Sequence, residues 1–200
     1  MNFPRLYLAS ASPRRHEILT QLGVPHDVLK LPAVAGEDEP RLPGEPPADY
    51  VRRTARDKAL RALAYLASPA GSGFEPRPVL AADTTVILDD DILGKPVNVD
   101  DARRMLWRLS GREHEVRTAV VVATPERLLE DVSVTTVHFA KLNEADVDAY
   151  CASGEPMDKA GAYGIQGLAG LFVEHIAGSF TGVMGLPVFE TGRLLRRFAP

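Results

Sequence analysis

Residues 79–90, VLAADTTVILDD, constrain the fold more than any other stretch of the chain. Their apolar and β-branched residues, bounded by turn-forming segments, predict a buried β-strand. Asp83 interrupts the apolar run. An ionised carboxylate inside a core strand costs several kcal/mol unless it is paired, binds a metal or faces a cleft. Asp83 is therefore either a liability to the fold or part of a functional site.

Segments with strand-like and helix-like patterns alternate along the rest of the chain. The alternation predicts an α/β fold, a mixed twisted sheet flanked by helices, in a single domain over residues 1–200. We expect Ser12 and Pro13 to begin the first helix and glycines to make residues 178–186 a loop. Further strands are predicted at 5–10, 26–34, 92–94, 114–123, 131–139 and 172–176, and further helices at 48–67, 100–109, 143–152 and 187–198.

Composition excludes several classes of protein. The net charge of -4 disfavours broad binding to nucleic acids or acidic membranes, which requires a basic surface. No apolar run approaches the roughly 18 residues of a membrane span. The one cysteine, Cys151, fits a reducing compartment and is expected to pack rather than to act as a nucleophile. We therefore expect a cytoplasmic protein that binds neither nucleic acid nor membrane.

Two arginines stand where a helix disfavours cations. Arg14 and Arg15 fall in the first turn of the first predicted helix, whose N-terminus already carries partial positive charge. Either both are solvated at a small cost, or they join the exposed helix amides in an anion site for phosphate. The residues alone leave both interpretations open.

Two lysines are further candidates for binding an anion. Lys58 lies on the apolar stripe of the long predicted helix, where it either reaches an edge of the core or points at a ligand or carboxylate. Lys95, in Gly94-Lys95-Pro96, lies on a bare and fixed backbone that suits a phosphate, although such strings are common by chance.

Carboxylates and an amide complete the set of candidates. Glu37, Asp38 and Glu39 cluster in an acidic loop that is either solvated or supplies a carboxylate to a metal or a base. Gln166, between Gly164 and Gly167, is expected to be buried, where it reads a nucleobase edge or satisfies loop backbone. The histidines show no zinc-binding spacing, and no Gly-x-Ser-x-Gly motif indicates a serine hydrolase.

Several cations combined with carboxylates suit the cleavage of a phosphoanhydride. The cations spread the phosphate charge, hard oxygen ligands hold Mg²⁺ or Mn²⁺, and a carboxylate takes a proton from the attacking water.

The motifs in order resemble the Maf family of nucleoside triphosphate pyrophosphatases, over nearly the whole length from Leu6 to Leu195. The matching segments are LASASPRR at 8–15, ARDKA at 55–59 with Tyr50 before it, ADT at 82–84, GKP at 94–96 and DKAGAYGIQG at 158–167. Each motif is weak alone, whereas all of them in sequence are specific. The resemblance implies a Maf/ITPase-like fold, a divalent metal, and hydrolysis of a nucleoside triphosphate to the monophosphate and pyrophosphate.

The resemblance also assigns roles to individual positions. Asp83 matches the catalytic base, and Glu39, by the spacing of 39–45, matches a loop carboxylate that with Asp83 holds the metal; Glu37 is the competing choice. The phosphate-binding and catalytic set is matched by Ser10, Arg14, Arg15, Lys58 and Lys95, and the positions tied to substrate choice by Arg14, Thr84 and Gln166.

The motifs at 83–84 and 163–167 look like those of the branch that acts on dTTP and UTP, and modified pyrimidine nucleotides are further candidate substrates in a house-cleaning role. Two alternatives remain open: the branch acting on 7-methyl-GTP, and a non-catalytic nucleotide-binding regulator of cell division. A homodimer is suggested by resemblance alone.

Overall fold

A computed structural model of the chain describes residues 3–32 and 39–198. Six α-helices and seven β-strands lie in these ranges, together with short 3₁₀ segments. The strands are β1 (Leu6–Leu8), β2 (His26–Val28), β3 (Val79–Leu88), β4 (Asp91–Leu93), β5 (Glu113–Thr124), β6 (Arg127–Phe139) and β7 (Val173–Ala177). The helices are α1 (Pro13–Gln21), α2 (Pro47–Ala67), α3 (Val99–Leu109), α4 (Glu144–Ala152), α5 (Phe180–Met184) and α6 (Val188–Arg196).

The strands pair in the order β2-β1-β3-β5-β6-β7, and β4 pairs with β3 outside this path. β1 is parallel to both β2 and β3, whereas β4 and β7 are antiparallel to their partners β3 and β6. The mixed sheet and its helices confirm the predicted α/β class.

Helix termini follow the predicted signals in part. Asn143 accepts a hydrogen bond from the Asp146 amide at the start of α4, as an N-cap does. Ser12 occupies the N-cap position of α1, but its side chain makes no capping bond. Its backbone N–H instead donates to the Ser10 hydroxyl, at 3.2 Å.

Three predicted boundaries were wrong. The strand expected over 131–139 begins four residues earlier, at Arg127. The strand expected over 26–34 ends at Val28, because β1 offers it only three residues to pair with; residues 33 and 34 lie outside the described ranges. The loop expected over 178–186 contains α5, whose start is stabilised by the Ser179 hydroxyl accepting from the Gly182 amide at 3.0 Å.

The chain divides into two compact units. The first comprises residues 1–83, 119–132 and 185–200. In its core, small residues of α2, among them Ala55, Ala59 and Ala62, pack with alternate residues of β3. Small side chains at these positions let the helix approach the strand closely, so Asp83 lies in a strand that α2 covers.

The second unit comprises residues 84–118 and 133–184. Its core contains an aromatic group, in which Phe139 packs edge-on against His114, Tyr163 and Phe172. Within residues 3–32 and 39–198, no helix has both the length and the apolar character needed to cross a bilayer.

Candidate active site

Lys58 joins two carboxylates in the first unit. Its Nζ lies 2.5 Å from Glu39 Oε1 and donates to Asp83 Oδ1 at 2.8 Å. The three side chains are largely shielded from solvent, with 19%, 27% and 8% of their surface exposed for Lys58, Glu39 and Asp83. Of the two interpretations of Lys58, the structure favours a lysine that points at carboxylates. The group of Lys58, Glu39 and Asp83 is called the carboxylate cluster below.

The charge state of Asp83 follows from its neighbours. Burial by itself raises the pKa of the Asp83 carboxyl, but the Lys58 ammonium and then the Arg15 guanidinium oppose this effect, so its pKa lies below the ordinary value. Asp83 is therefore ionised at neutral pH and can accept a hydrogen bond or a proton.

Arg15 is not solvated, so the interpretation in which both arginines are exposed to water was wrong for this residue. Its side chain is buried, Nε donates to the Gly185 carbonyl at 2.8 Å, and Nη1 donates to Ser10 Oγ at 3.0 Å. Burial lowers the pKa of Arg15, while Asp83 and Glu39 raise it. Arg14 is half-buried beside it, and its like charge also lowers the Arg15 pKa. A cation held this firmly at a helix N-terminus is suited to an anionic group.

The segment after Glu39 is fixed to α2 by contacts that sequence reasoning missed. Arg53 grips the Glu45 carboxylate through Nε at 2.6 Å and Nη2 at 2.8 Å, and Nη2 also donates to the Pro40 carbonyl at 2.9 Å. The Tyr50 hydroxyl donates to the Glu39 carbonyl at 3.1 Å. The Arg53 guanidinium lowers the pKa of Glu45 to about 2. No periodic signal in the sequence links two residues eight positions apart across the start of a helix.

Glu39 contacts Lys58, whereas Glu37 and Asp38 lie outside the described residues. The choice of Glu39 over Glu37 therefore stays a prediction.

Three further predicted residues belong to the second unit. Gln166 is exposed rather than buried, because it lies in a turn at the surface. Lys95 is also exposed, and the Gly94 carbonyl beside it accepts from the Gly161 amide at 3.0 Å. Thr84 Oγ1 lies 2.9 Å from the hydroxyl of Thr118.

Cys151 is a packing residue, as expected. It is 4% exposed, and burial raises the pKa of its thiol, which keeps it in the unreactive protonated form at neutral pH.

Glu39 and Asp83 are the carboxylates of the cluster that a divalent cation would use. Both contact Lys58 Nζ, so the lysine ammonium occupies the point on which their oxygens converge. Within residues 3–32 and 39–198, no group of three or more His, Cys, Asp or Glu side chains is arranged to hold a metal. Two carboxylates suit an ion such as Mg²⁺, which keeps several waters and takes further ligands from substrate phosphates.

The sequence matches a family model and several relatives that share one name. The Maf-like protein family model covers residues 5–198. A Bordetella pertussis protein named dTTP/UTP pyrophosphatase is 63% identical over 193 residues, which are 96% of this chain and 92% of the relative. Proteins with the same name from Chromobacterium violaceum and Pseudoalteromonas translucida are 53% and 49% identical; the matches cover 98% and 96% of this chain and 96% of each relative.

A comparison of structures finds the Staphylococcus aureus Ham1 protein, with a TM-score of 0.46 and 12% identity over 68% of this chain and 72% of that chain. The family model spans nearly the whole sequence, and the relatives match it over almost their full length. The chain therefore belongs to the Maf family.

Proposed function

We propose that this protein hydrolyses dTTP and UTP to the corresponding monophosphate and pyrophosphate. The observation that carries the proposal is the carboxylate cluster, in which a buried, ionised Asp83 lies among cations suited to phosphates. The name shared by the relatives supports the choice of dTTP and UTP.

In this proposal the cations bind the triphosphate. Arg14, Arg15, Lys58 and Lys95 are the proposed cationic ligands of the phosphates, and the uncharged Ser10, which precedes α1, is proposed to bind a phosphate as well. The positive charge of these cations offsets the negative charge that builds up on the leaving pyrophosphate in the transition state. Substrate phosphates compete with Glu39 and Asp83 for the Lys58 ammonium, because both are anions that the same Nζ can contact.

Asp83 takes the proton of the attacking water. The water oxygen forms a bond to the α-phosphorus, the bond from the α-phosphorus to the bridging oxygen breaks, and pyrophosphate leaves with the electron pair. A carboxylate with a lowered pKa is a weak base, so its main contribution is to orient the water and to accept the proton as positive charge develops on it.

Glu39 and Asp83 would hold a Mg²⁺ or Mn²⁺ ion, which when bound polarises the phosphate oxygens. The segment clamped by Arg53 and Tyr50 keeps Glu39 at this position.

Gln166, with Thr84 and Arg14, is proposed to select the base. A primary amide offers one acceptor and two donor positions, which can match the adjacent N–H and carbonyl groups of uracil and thymine. We also propose that the protein acts in the cytoplasm, where nucleoside triphosphates are made and used, and that two copies form a homodimer.

Asp83→Asn tests the assignment of the base. The substitution preserves shape and should reduce turnover of dTTP by at least about a hundredfold, the lower range for general base catalysis. Asp91→Asn, at an exposed ion pair with Arg108, is the matched control and should keep wild-type turnover. Reaction in ¹⁸O-labelled water should place the label in the monophosphate. Label in the pyrophosphate would exclude attack at the α-phosphorus, and near wild-type turnover by Asp83→Asn would exclude Asp83 as the base.

A further inference from the structure

Gln166 lies in a tight turn of the second unit. The Gly167 amide donates to the Gly164 carbonyl at 3.0 Å and closes the turn around Ile165 and Gln166. Ile165 is 7% exposed and anchors one side of the turn in the core, while Gln166 is presented to solvent. Whatever holds the two ends of this turn therefore sets the position of the Gln166 amide.

The Glu155 carboxylate holds the C-terminal end. Oε2 accepts the backbone N–H of Leu168 at 3.0 Å, and Oε1 accepts the hydroxyl of Tyr150 at 3.0 Å. Tyr150 is 2% exposed in α4, so it gives the carboxylate a fixed partner in the core. Burial and then the charge of Glu155 raise the pKa of Tyr150 above its ordinary value, which keeps the hydroxyl protonated and able to donate.

Lys159 holds the other end. Its Nζ donates to the Glu155 carbonyl at 2.6 Å, and its aliphatic chain lies against Gly164. A Cβ on Gly164 would come within 2.8 Å of Lys159 Cε, and a Cβ on Gly167 would collide with the Glu155 carboxylate. Glycine at both positions lets these two side chains approach the backbone closely, and a larger residue at either would displace the Lys159 chain or the Glu155 carboxylate.

We infer that Glu155 is a positioning residue for base selection: it fixes the turn that presents Gln166 and does not itself touch the nucleotide. The inference rests on the proposed function for the role of Gln166. The positioning role itself is supported by the contacts of the turn, because the Glu155 carboxylate joins the backbone after Gln166 to the buried Tyr150.

The experiment is a double-mutant cycle between Glu155 and Gln166 on UTP and CTP. Glu155→Ala should raise the KM for UTP roughly tenfold, the effect of losing a hydrogen bond to a charged group that fixes a binding residue, with little change in kcat. Glu155→Gln should restore the wild-type KM, because its amide oxygen can accept from Leu168 while its NH₂ donates to Tyr150. Gln166→Ala should lower the preference for UTP over CTP, and adding Glu155→Ala to it should change little more.

Effects of the two substitutions that multiply independently would overturn the inference, as would a Glu155→Gln variant no better than Glu155→Ala. If Glu155 served only the stability of the fold, we would expect both of these results together with a lower Tm for Glu155→Ala. If Glu155→Ala does not fold, Tyr150→Phe replaces it in the test. This substitution removes one donor, keeps the ring and should give a smaller rise in KM. If wild type releases no pyrophosphate from any nucleotide, the proposed function fails, and the same cycle on the Kd of a non-hydrolysable UTP analogue still decides the inference.

Discussion

Removing Lys58 should destabilise the protein because it leaves a buried charge without its main partner. In Lys58→Met the aliphatic stem is kept and the ammonium is lost, so the Asp83 side chain, 8% exposed, loses its contact at 2.8 Å. Breaking a buried pair in this way costs about 3–5 kcal/mol. The nearby Arg15, which also lowers the pKa of Asp83, and the 19% exposure of Lys58 place the expected loss near the lower limit, at about 3 kcal/mol.

Urea unfolding near neutral pH measures this loss, with Lys30→Met on the exposed surface as the control, for which we expect a change within about 0.5 kcal/mol. The double variant Lys58→Met/Asp83→Asn should regain most of the stability, since the carboxylate that lost the Lys58 ammonium is now a neutral amide. Neither variant should release pyrophosphate at the wild-type rate. A Lys58→Met protein as stable as wild type, or one that Asp83→Asn does not rescue, would refute the buried pair as the organising contact of the site.

Three further predictions concern the Arg53 contacts, the buried His114 and the metal. Arg53→Met should release the segment that holds Glu39 and lower kcat by up to about a hundredfold, the cost of misplacing a catalytic group by about 1 Å. Arg52→Met, at the Glu130 ion pair, should leave kcat unchanged. Steady-state kinetics of the two variants decides, and equal effects would contradict the role given to Arg53. Burial lowers the pKa of His114 to about 4. As the pH is lowered below about 6.5, the unfolded chain takes up a proton before the native chain does, so the free energy of unfolding decreases. From pH 7 to 5 wild type should lose about 2 kcal/mol more than His114→Gln in urea unfolding, and equal losses would place the His114 pKa near its ordinary value. A chelator should abolish turnover, and Mg²⁺ or Mn²⁺ should restore it in an assay of pyrophosphate release; full activity in excess chelator would remove the metal from the proposal.

Local patterns were enough to predict most elements and the position of Lys58. The apolar stripe of α2 places Lys58 toward the strand that carries Asp83, because residues four and seven apart share a helix face. The two residues are 25 positions apart, and only the packing of α2 on β3 brings them to 2.8 Å.

What the sequence missed depends on contacts between distant residues. Arg15 is buried because residues far along the chain supply the Gly185 carbonyl, 170 positions away. The contacts of Arg53 with Glu45, and of Glu155 with the Leu168 amide, depend on the course of loops, which no helical or strand periodicity predicts. Gln166 was expected inside because it lies among apolar residues and glycines, but those glycines make a turn that exposes it.

Pyrophosphate release should be measured with Mg²⁺ or Mn²⁺ on a panel of nucleotides: dTTP, UTP, CTP, GTP, 7-methyl-GTP, ITP and modified pyrimidine triphosphates. We expect selective release from dTTP and UTP by wild type and its loss in Asp83→Asn. Release from 7-methyl-GTP instead would keep the mechanism but contradict the roles given to Thr84 and Gln166. A folded protein that binds nucleotides and releases no pyrophosphate from any of them would show that it is not a pyrophosphatase and would favour a regulator.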